Sequence, residues 1–290
     1  MPSLITLKRR INSIKNTRQI TKAMELVSSS KLRRAQAAAL TSRAYRQAAY
    51  ELLARLNQVQ EVERQPLFKK RPIKNRLYVV ITSNSGLAGA YNANVLKLLV
   101  QGVKQDRAER VKTSVITVGN KGAQFVRRIE NIELLSHYPA FGDEPNEHDM
   151  VPLLNSVIEA YKSESVDEVR LLYTEFKTSL SQVATSLSLL PAGLEEMPAG
   201  APAPGFMNFE PDVETVIHNV GTRLIQAQIW QALLESLASE HAMRAVAMKN
   251  ATDNADDLIG DYTLEYNSTR QGKITQEIAE ITGGAEALNA

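Results

Sequence analysis

From Ser3 to Gln65 the chain has neither proline nor glycine, and its first glycine is Gly86. A stretch this long without breakers, rich in Ala, Leu, Arg, Lys and Gln, favours helix at nearly every position. The pattern predicts one helix over residues 1–65. At about 1.5 Å per residue, some 55 residues would span roughly 80 Å, more than the diameter of a small domain. Much of such a helix must project. Alternating steps of four and three pass through Leu7, Ile11, Ile14, Arg18, Thr21, Glu25, Ser28, Leu32, Ala35 and Ala39. The row is apolar at its ends and polar from Arg18 to Ser28. Ile20, Met24 and Val27 form an apolar row beside it, so the seam is expected to drift around the helix there.

The C-terminal segment has the same character. No proline follows Pro211. A four-three row runs from Val213 through Ile217, Val220, Leu224, Ala227, Gln231, Leu234, Ala238, His241, Ala245, Met248, Thr252, Ala255, Ile259 and Tyr262 to Tyr266. Most of these residues are apolar or small, which is a coiled-coil pattern. Gly221, Gly260 and Gly272 weaken the helix locally without ending the pattern.

Between these segments strands alternate with helices. Strands are expected at 77–82, 114–118, 132–135, 169–176 and 183–190, and helices at 92–105, 124–128 and 150–161. This alternation predicts an α/β layer with a mostly parallel sheet, Rossmann-like in kind. Residues 191–211 carry Pro191, Pro198, Pro202, Pro204 and Pro211 with three glycines, and read as a linker. The expected organisation is a helix over 1–65, an α/β domain over 72–190, a linker over 191–211 and a second helix over 212–290. Each terminal helix has an apolar stripe to cover. The economical solution is an antiparallel coiled coil that protrudes as a rod.

Composition narrows the function. There are no cysteines, which excludes disulfides, thiolate metal sites and a cysteine nucleophile. No apolar run approaches the roughly 18 residues of a membrane span, and no secretory h-region is present. Net charge is +2, but residues 1–56 hold 12 Lys or Arg against Glu25 and Glu51. The rest of the chain is acidic. The basic helix suits either a nucleic acid or an acidic protein partner. Its charges are dispersed around the helix, and its aromatics are only Tyr45 and Tyr50.

Catalytic patterns are weak. Gly86-Leu-Ala-Gly89 could offer backbone N–H groups to a phosphate, but it matches neither a dinucleotide fingerprint nor a P-loop and reads as a strand-to-helix turn. Gly119-Asn-Lys-Gly122 reads the same way. His137, His148, His218 and His241 lack zinc-helix spacing, and His241 falls on the seam row. No Gly-x-Ser-x-Gly elbow is present. No cofactor, metal or catalytic residue is expected. An α/β enzyme with helical extensions and a nucleic-acid-binding coiled coil are the alternatives from other classes.

Three motifs carry a resemblance. They are Ile11-Asn-Ser-Ile-Lys-Asn-Thr-Arg-Gln-Ile-Thr-Lys-Ala-Met24 with Val27 to Gln36, Ser239 to Asn254, and Ile274-Thr-Gln-Glu-Ile-Ala-Glu280 with Gly284-Ala285. The chain closely resembles the gamma subunits of F-type ATP synthases, and the likeness spans its full length. The resemblance implies a non-catalytic rotor. Its terminal helices would form an asymmetric coiled coil inside a ring of α and β subunits, with the α/β domain on the c-ring beside ε. Ion flow would turn it and cycle the catalytic β subunits. It would be peripheral to the membrane through the c-ring, on the cytoplasmic face of the bacterial inner membrane or the equivalent matrix face, and would bind no nucleic acid. Met24, Arg244, Gln271, Thr275 and Glu277 would be its contacts with the ring. The family usually shows Asp-Arg-Gly-Leu-Cys-Gly-Gly after the first strand. Here the stretch is Asn84-Ser85-Gly86-Leu87-Ala88-Gly89-Ala90, without the charged pair. The photosynthetic branch has an insertion with a regulatory cysteine pair near 191–211; here that loop is short and cysteine-free, so thiol control is not expected.

Overall fold

The computed structural model describes residues 3–56, 65–130, 132–143, 145–192 and 212–289. In chain order the elements are α1 (Leu4–Leu56), β1 (Asn75–Ile81), α2 (Tyr91–Glu109), β2 (Lys112–Val118), α3 (Asn120–Val126), β3 (Glu133–Tyr138), α4 (Val151–Lys162), β4 (Glu168–Phe176), β5 (Gln182–Leu190) and α5 (Val213–Asn289). A single turn of 3-10 helix, Glu147–Met150, leads into α4. Most of the linker expected at 191–211 lies outside the described residues, as does the end of the first helix beyond Leu56.

The five strands lie in the order β3-β2-β1-β4-β5. The first four are parallel, and β5 returns antiparallel to β4. β1 is central and is buried on both faces from Arg76 to Ile81, which explains its unbroken Leu-Tyr-Val-Val-Ile run. One face packs Tyr78, Val80 and Val115 against Val95, Leu99 and Val103 of α2 and Val126 of α3. The other packs Leu77, Val79, Ile116 and Leu171 against α4 and against Ile217, Leu224, Ile225, Ile229 and Leu233 of α5. The first third of α5 is thus one layer of the α/β body.

The chain divides into two compact units, Met1–Val27 with Ala245–Ala290, and Ser28–Arg244. In the first, α1 and α5 run antiparallel. Arg10 lies 5.9 Å over the Tyr262 ring, Arg18 pairs with Asp256, and the buried hydroxyls of Thr21 and Thr252 meet at 2.8 Å. In the second unit the pairing is also antiparallel. Ala35, Ala238 and Ala242 pack with Phe176, Arg43 bonds Glu235 at 3.1 Å, and Gln231 donates to the Ala39 carbonyl at 3.3 Å. Small residues at the seam let the two backbones approach closely.

The sequence pattern led to one wrong expectation in α1. The seam does not drift. Thr21 and Ser28 are buried, whereas Ile20 and Val27 are 61% and 53% exposed. The Thr21–Thr252 bond satisfies a polar pair inside the seam, so nothing forces the helix to rotate its apolar neighbours inward. In α5 the four-three row is the buried row from Ile217 to Ala255 apart from half-buried Val220 and Ala245, as its spacing predicts. α5 runs unbroken through Gly221, where the Phe68 ring occupies the space that a side chain would need. α2 runs four residues past its expected end. No glycine marks its stop, because Arg110 itself takes the left-handed turn at φ 58°.

At the amino-terminal end of β1, Arg76 is buried with Asp106 and Glu168. Thr113 donates a further bond to Asp106 at 2.9 Å.

Candidate functional site

In doubly wound sheets, ligands bind beyond the carboxyl ends of the strands, where the strand order reverses. Here that point lies between β1 and β4, and three segments meet near it. They are the β1–α2 turn, residues 82–90, the β2–α3 turn at Gly119, and the loop after β3. Thr82 donates to the Val118 carbonyl at 3.0 Å and accepts from the Gly122 amide at 2.9 Å. Gly119 has φ 96°, and a Cβ there would lie 2.1 Å from the Thr82 carbonyl oxygen, so only glycine fits. Asn92 accepts from the Ser83 amide at 3.0 Å and donates to its hydroxyl at 2.8 Å. Gly86-Leu-Ala-Gly89 is therefore a strand-to-helix turn, as its spacing predicts, whereas Gly119-Asn-Lys-Gly122 is not a separate turn. Gly119 caps α3 and the next three residues are its first turn, so that helix begins earlier than the expected 124–128.

α5 covers this crevice. Leu233, Ser236, Leu237 and Glu240 line it together with Thr82, Tyr91 and Phe141, leaving a cavity of about 20 Å³. That holds roughly one water molecule. Burial pushes the Tyr91 hydroxyl far above its ordinary value, and the nearby Glu240 charge adds to the effect. Burial also raises the Glu240 carboxyl, against the pull of Arg244. Among the described residues no group of three His, Asp or Glu could hold a metal ion.

Arg244 is 8% exposed. It bonds Glu240 at 2.7 Å and reaches Ser85 Oγ and the Gly86 carbonyl, both at 3.4 Å. His241 is buried, with neither ring nitrogen hydrogen-bonded among the described residues. Its Nε2 stands 3.5 Å from Asp143. Burial, then the Arg244 charge, lowers His241 to about 4 despite Asp143. Asp143 also bonds Lys31 at 2.7 Å. Burial works to raise the Asp143 carboxyl, but Lys31 outweighs it and holds it below the usual range. Spacing alone could not bring Lys31, Asp143 and His241 together, because they come from α1, a loop and α5.

The remaining residues expected to form contacts lie elsewhere. Met24 is half-buried on α1, in the unit that excludes Arg244. Gln271, Thr275 and Glu277 are exposed on α5, and Thr275 Oγ1 donates to the Gln271 carbonyl at 3.0 Å. From Arg270 to Gly284 every residue of α5 is exposed. Ile274, Ile278 and Ile281, at 47%, 59% and 73% exposure, make an apolar stripe along that stretch. By helical geometry Gln271 and Thr275 flank the stripe on one side and Glu277 on the other.

Antiparallel pairing of α1 with α5 within each unit, with α5 sealing the crevice of the doubly wound sheet in the second, defines a structural-shaft class of protein. A family profile described as ATP synthase matches residues 3–288. The chain is 39% identical over 283 residues to an ATP synthase gamma chain of Xylella fastidiosa, covering 97% of this chain and 98% of that one. It is 40% identical to that of Geobacter metallireducens over 99% of both. A solved Tetrahymena thermophila mitochondrial ATP synthase structure, of the central stalk and c-ring, matches at 25% identity with TM-score 0.61, covering 80% of this chain and 99% of that one. A chain from Euglena gracilis mitochondrial ATP synthase shares the fold with TM-score 0.70 at 21% identity, covering 98% of this chain and 94% of that one. The chain belongs to the ATP synthase gamma chain family.

Proposed function

We propose that the chain is the rotor shaft of an F-type ATP synthase. Ion-driven rotation of a c-ring turns it, and its asymmetric surface drives catalytic β subunits through their conformational cycle. The observation that carries this reading is the end of α5. A helix exposed on every side from Arg270 to Gly284, with three isoleucines in line, does not gain its stability from this chain alone. A surrounding collar of partner subunits would cover it.

The partners are α and β subunits of the ring, ε and the c-ring. The segments 1–65 and 212–290 supply the shaft and 72–190 the α/β body, with the first third of α5 serving also as a layer of that body. Met24, Gln271, Thr275 and Glu277 face the ring. Arg244 contributes differently, by holding the turn at Ser85 and Gly86. The basic surface of α1 meets acidic protein, not nucleic acid. No described helix is long and apolar enough to cross a membrane, and the chain attaches through the c-ring on the cytoplasmic face of a bacterial inner membrane, or the matrix face of an organelle. The chain is read as a non-catalytic subunit, and the filling by α5 of the crevice at the strand-order reversal supports that reading.

Affinity purification of the tagged chain from its native cell should recover α and β subunits in equal, threefold excess. Recovery without them refutes the reading. Calorimetry on the isolated chain should show no Mg-ATP binding. Stoichiometric binding at micromolar strength would contradict the non-catalytic assignment.

A further inference from the structure

The loop after β3 is fastened at both ends. At its start, the Asn84 side chain pairs with the backbone of Ala140 in both directions. Asn84 Nδ2 donates to the Ala140 carbonyl at 3.0 Å, and the Ala140 amide donates to Asn84 Oδ1 at 2.9 Å. The Asn120 amide donates to the same oxygen at 3.3 Å. This pairing needs one donor and one acceptor on the same side chain, which an amide supplies and a carboxylate does not. Phe141 then packs against the core face formed by β1, β2 and α5. At the far end, Asp143 takes Lys31 of α1 at 2.7 Å and stands 3.5 Å from His241 of α5. The circuit closes through α5, because Arg244, one turn beyond Glu240, reaches back to Ser85 and Gly86.

We propose that residues 139–143 are a strap fixing the β1–α2 turn to α1 and α5, with Asn84 and Asp143 as its fastenings, and that load passes between the α/β layer and the helix pair through it. Asn84 and Asp143 are then positioning residues. The torque half of this inference rests on the rotor reading, and the strap itself does not. Asn84 stands where the resembled family usually carries aspartate, so the two-way bond to Ala140 belongs to this chain's own turn.

The test compares the full-length parent with Asn84→Asp, Asp143→Asn and the double variant by hydrogen exchange. Asn84→Asp keeps the shape and the acceptor but removes the donor. Each single variant should speed exchange at residues 84–86 and 140–143 about tenfold, the scale of one to two lost hydrogen bonds, while the amides of β1 stay protected. Because the fastenings act in series, the double variant should exchange little faster than the more severe single. Unchanged exchange in both singles, or effects that simply multiply, overturns the strap. In the complete ATP synthase reconstituted into vesicles, ions transported per ATP hydrolysed should fall at least twofold in both singles. Faster exchange with an unchanged ratio refutes load transfer while leaving the strap. Failure of the parent chain to assemble refutes the rotor reading, and the exchange result still decides the strap.

Discussion

Replacing Ile274, Ile278 and Ile281 together by glutamine tests what the end of α5 is for. Glutamine is a good helix former, so the backbone is not the target. In the isolated chain these side chains are 47%, 59% and 73% exposed, and little is lost there. The expected change in its unfolding free energy is within about 0.5 kcal/mol, as for most surface substitutions. In the assembly a collar would bury the exposed remainder, nearly two whole isoleucine side chains. Full burial of one is worth ~1.5–3 kcal/mol, so the triple variant should forfeit ~3–5 kcal/mol of association. That is roughly a hundred- to several-thousand-fold in dissociation constant. The assay is titration of the labelled chain into α3β3, followed by fluorescence, with melting of the isolated chain as control. An affinity within threefold of the parent, with melting unchanged, would refute the collar. Alanine at Gln271, Thr275 and Glu277, which flank the stripe, should reduce assembly and ATPase rate more than removal of residues 287–290. Hydrogen bonds to charged groups are worth about 1.5–3 kcal/mol each.

Three further outcomes are expected. Met24→Lys should leave assembly intact but reduce ion transport per ATP in vesicles, because the new ammonium finds a carboxylate on the ring and holds one rotary position; equal coupling in mutant and parent would exclude this. Arg76→Met strands the Asp106 carboxylate in the interior, while Glu168 keeps Arg170 at 2.7 Å; it should cost about 3–5 kcal/mol by denaturant titration, with most of it recovered when Asp106 is made apolar as well. His241 is neutral in the folded chain down to about pH 4, whereas the unfolded chain protonates it near 6.5. Its contribution is therefore intact above pH 6.5 and lost as pH falls from there to about 4, up to ~3 kcal/mol. His241→Phe should flatten the stability profile in that window, and an unaltered slope would assign the acid sensitivity to other groups.

The parts of this structure that depend on local repetition were readable from the residues. A four-three step through α5 picked out its buried side from Ile217 to Ala255, polar Gln231, His241 and Thr252 included. The β-branched run of β1 announced a strand, but its central place in the sheet comes only from the strand pairing. Position-by-position polarity misled at α1, where a threonine pair satisfies itself inside the seam and leaves Ile20 and Val27 outside. The end of α2 was hidden because an arginine took a conformation usually left to glycine. The network about Asp143 had no local signal at all. Its members are ordinary surface types, and only the crossing of a loop with two helices makes them neighbours. Motif likeness picked out Arg244 but not what it touches, since the turn it holds lies far away in the chain.

The sealed crevice has a consequence for pharmacology. A doubly wound sheet normally offers a drug-sized cleft at its reversal point, and such clefts occupy roughly 300–1,000 Å³. Here the same place retains about 20 Å³. A competitive small molecule would have to peel back Leu233, Leu237 and Glu240, and with them a stretch of helix that also forms part of the core. A nucleotide-sized molecule therefore has no room at this point of the fold unless that stretch of α5 leaves it.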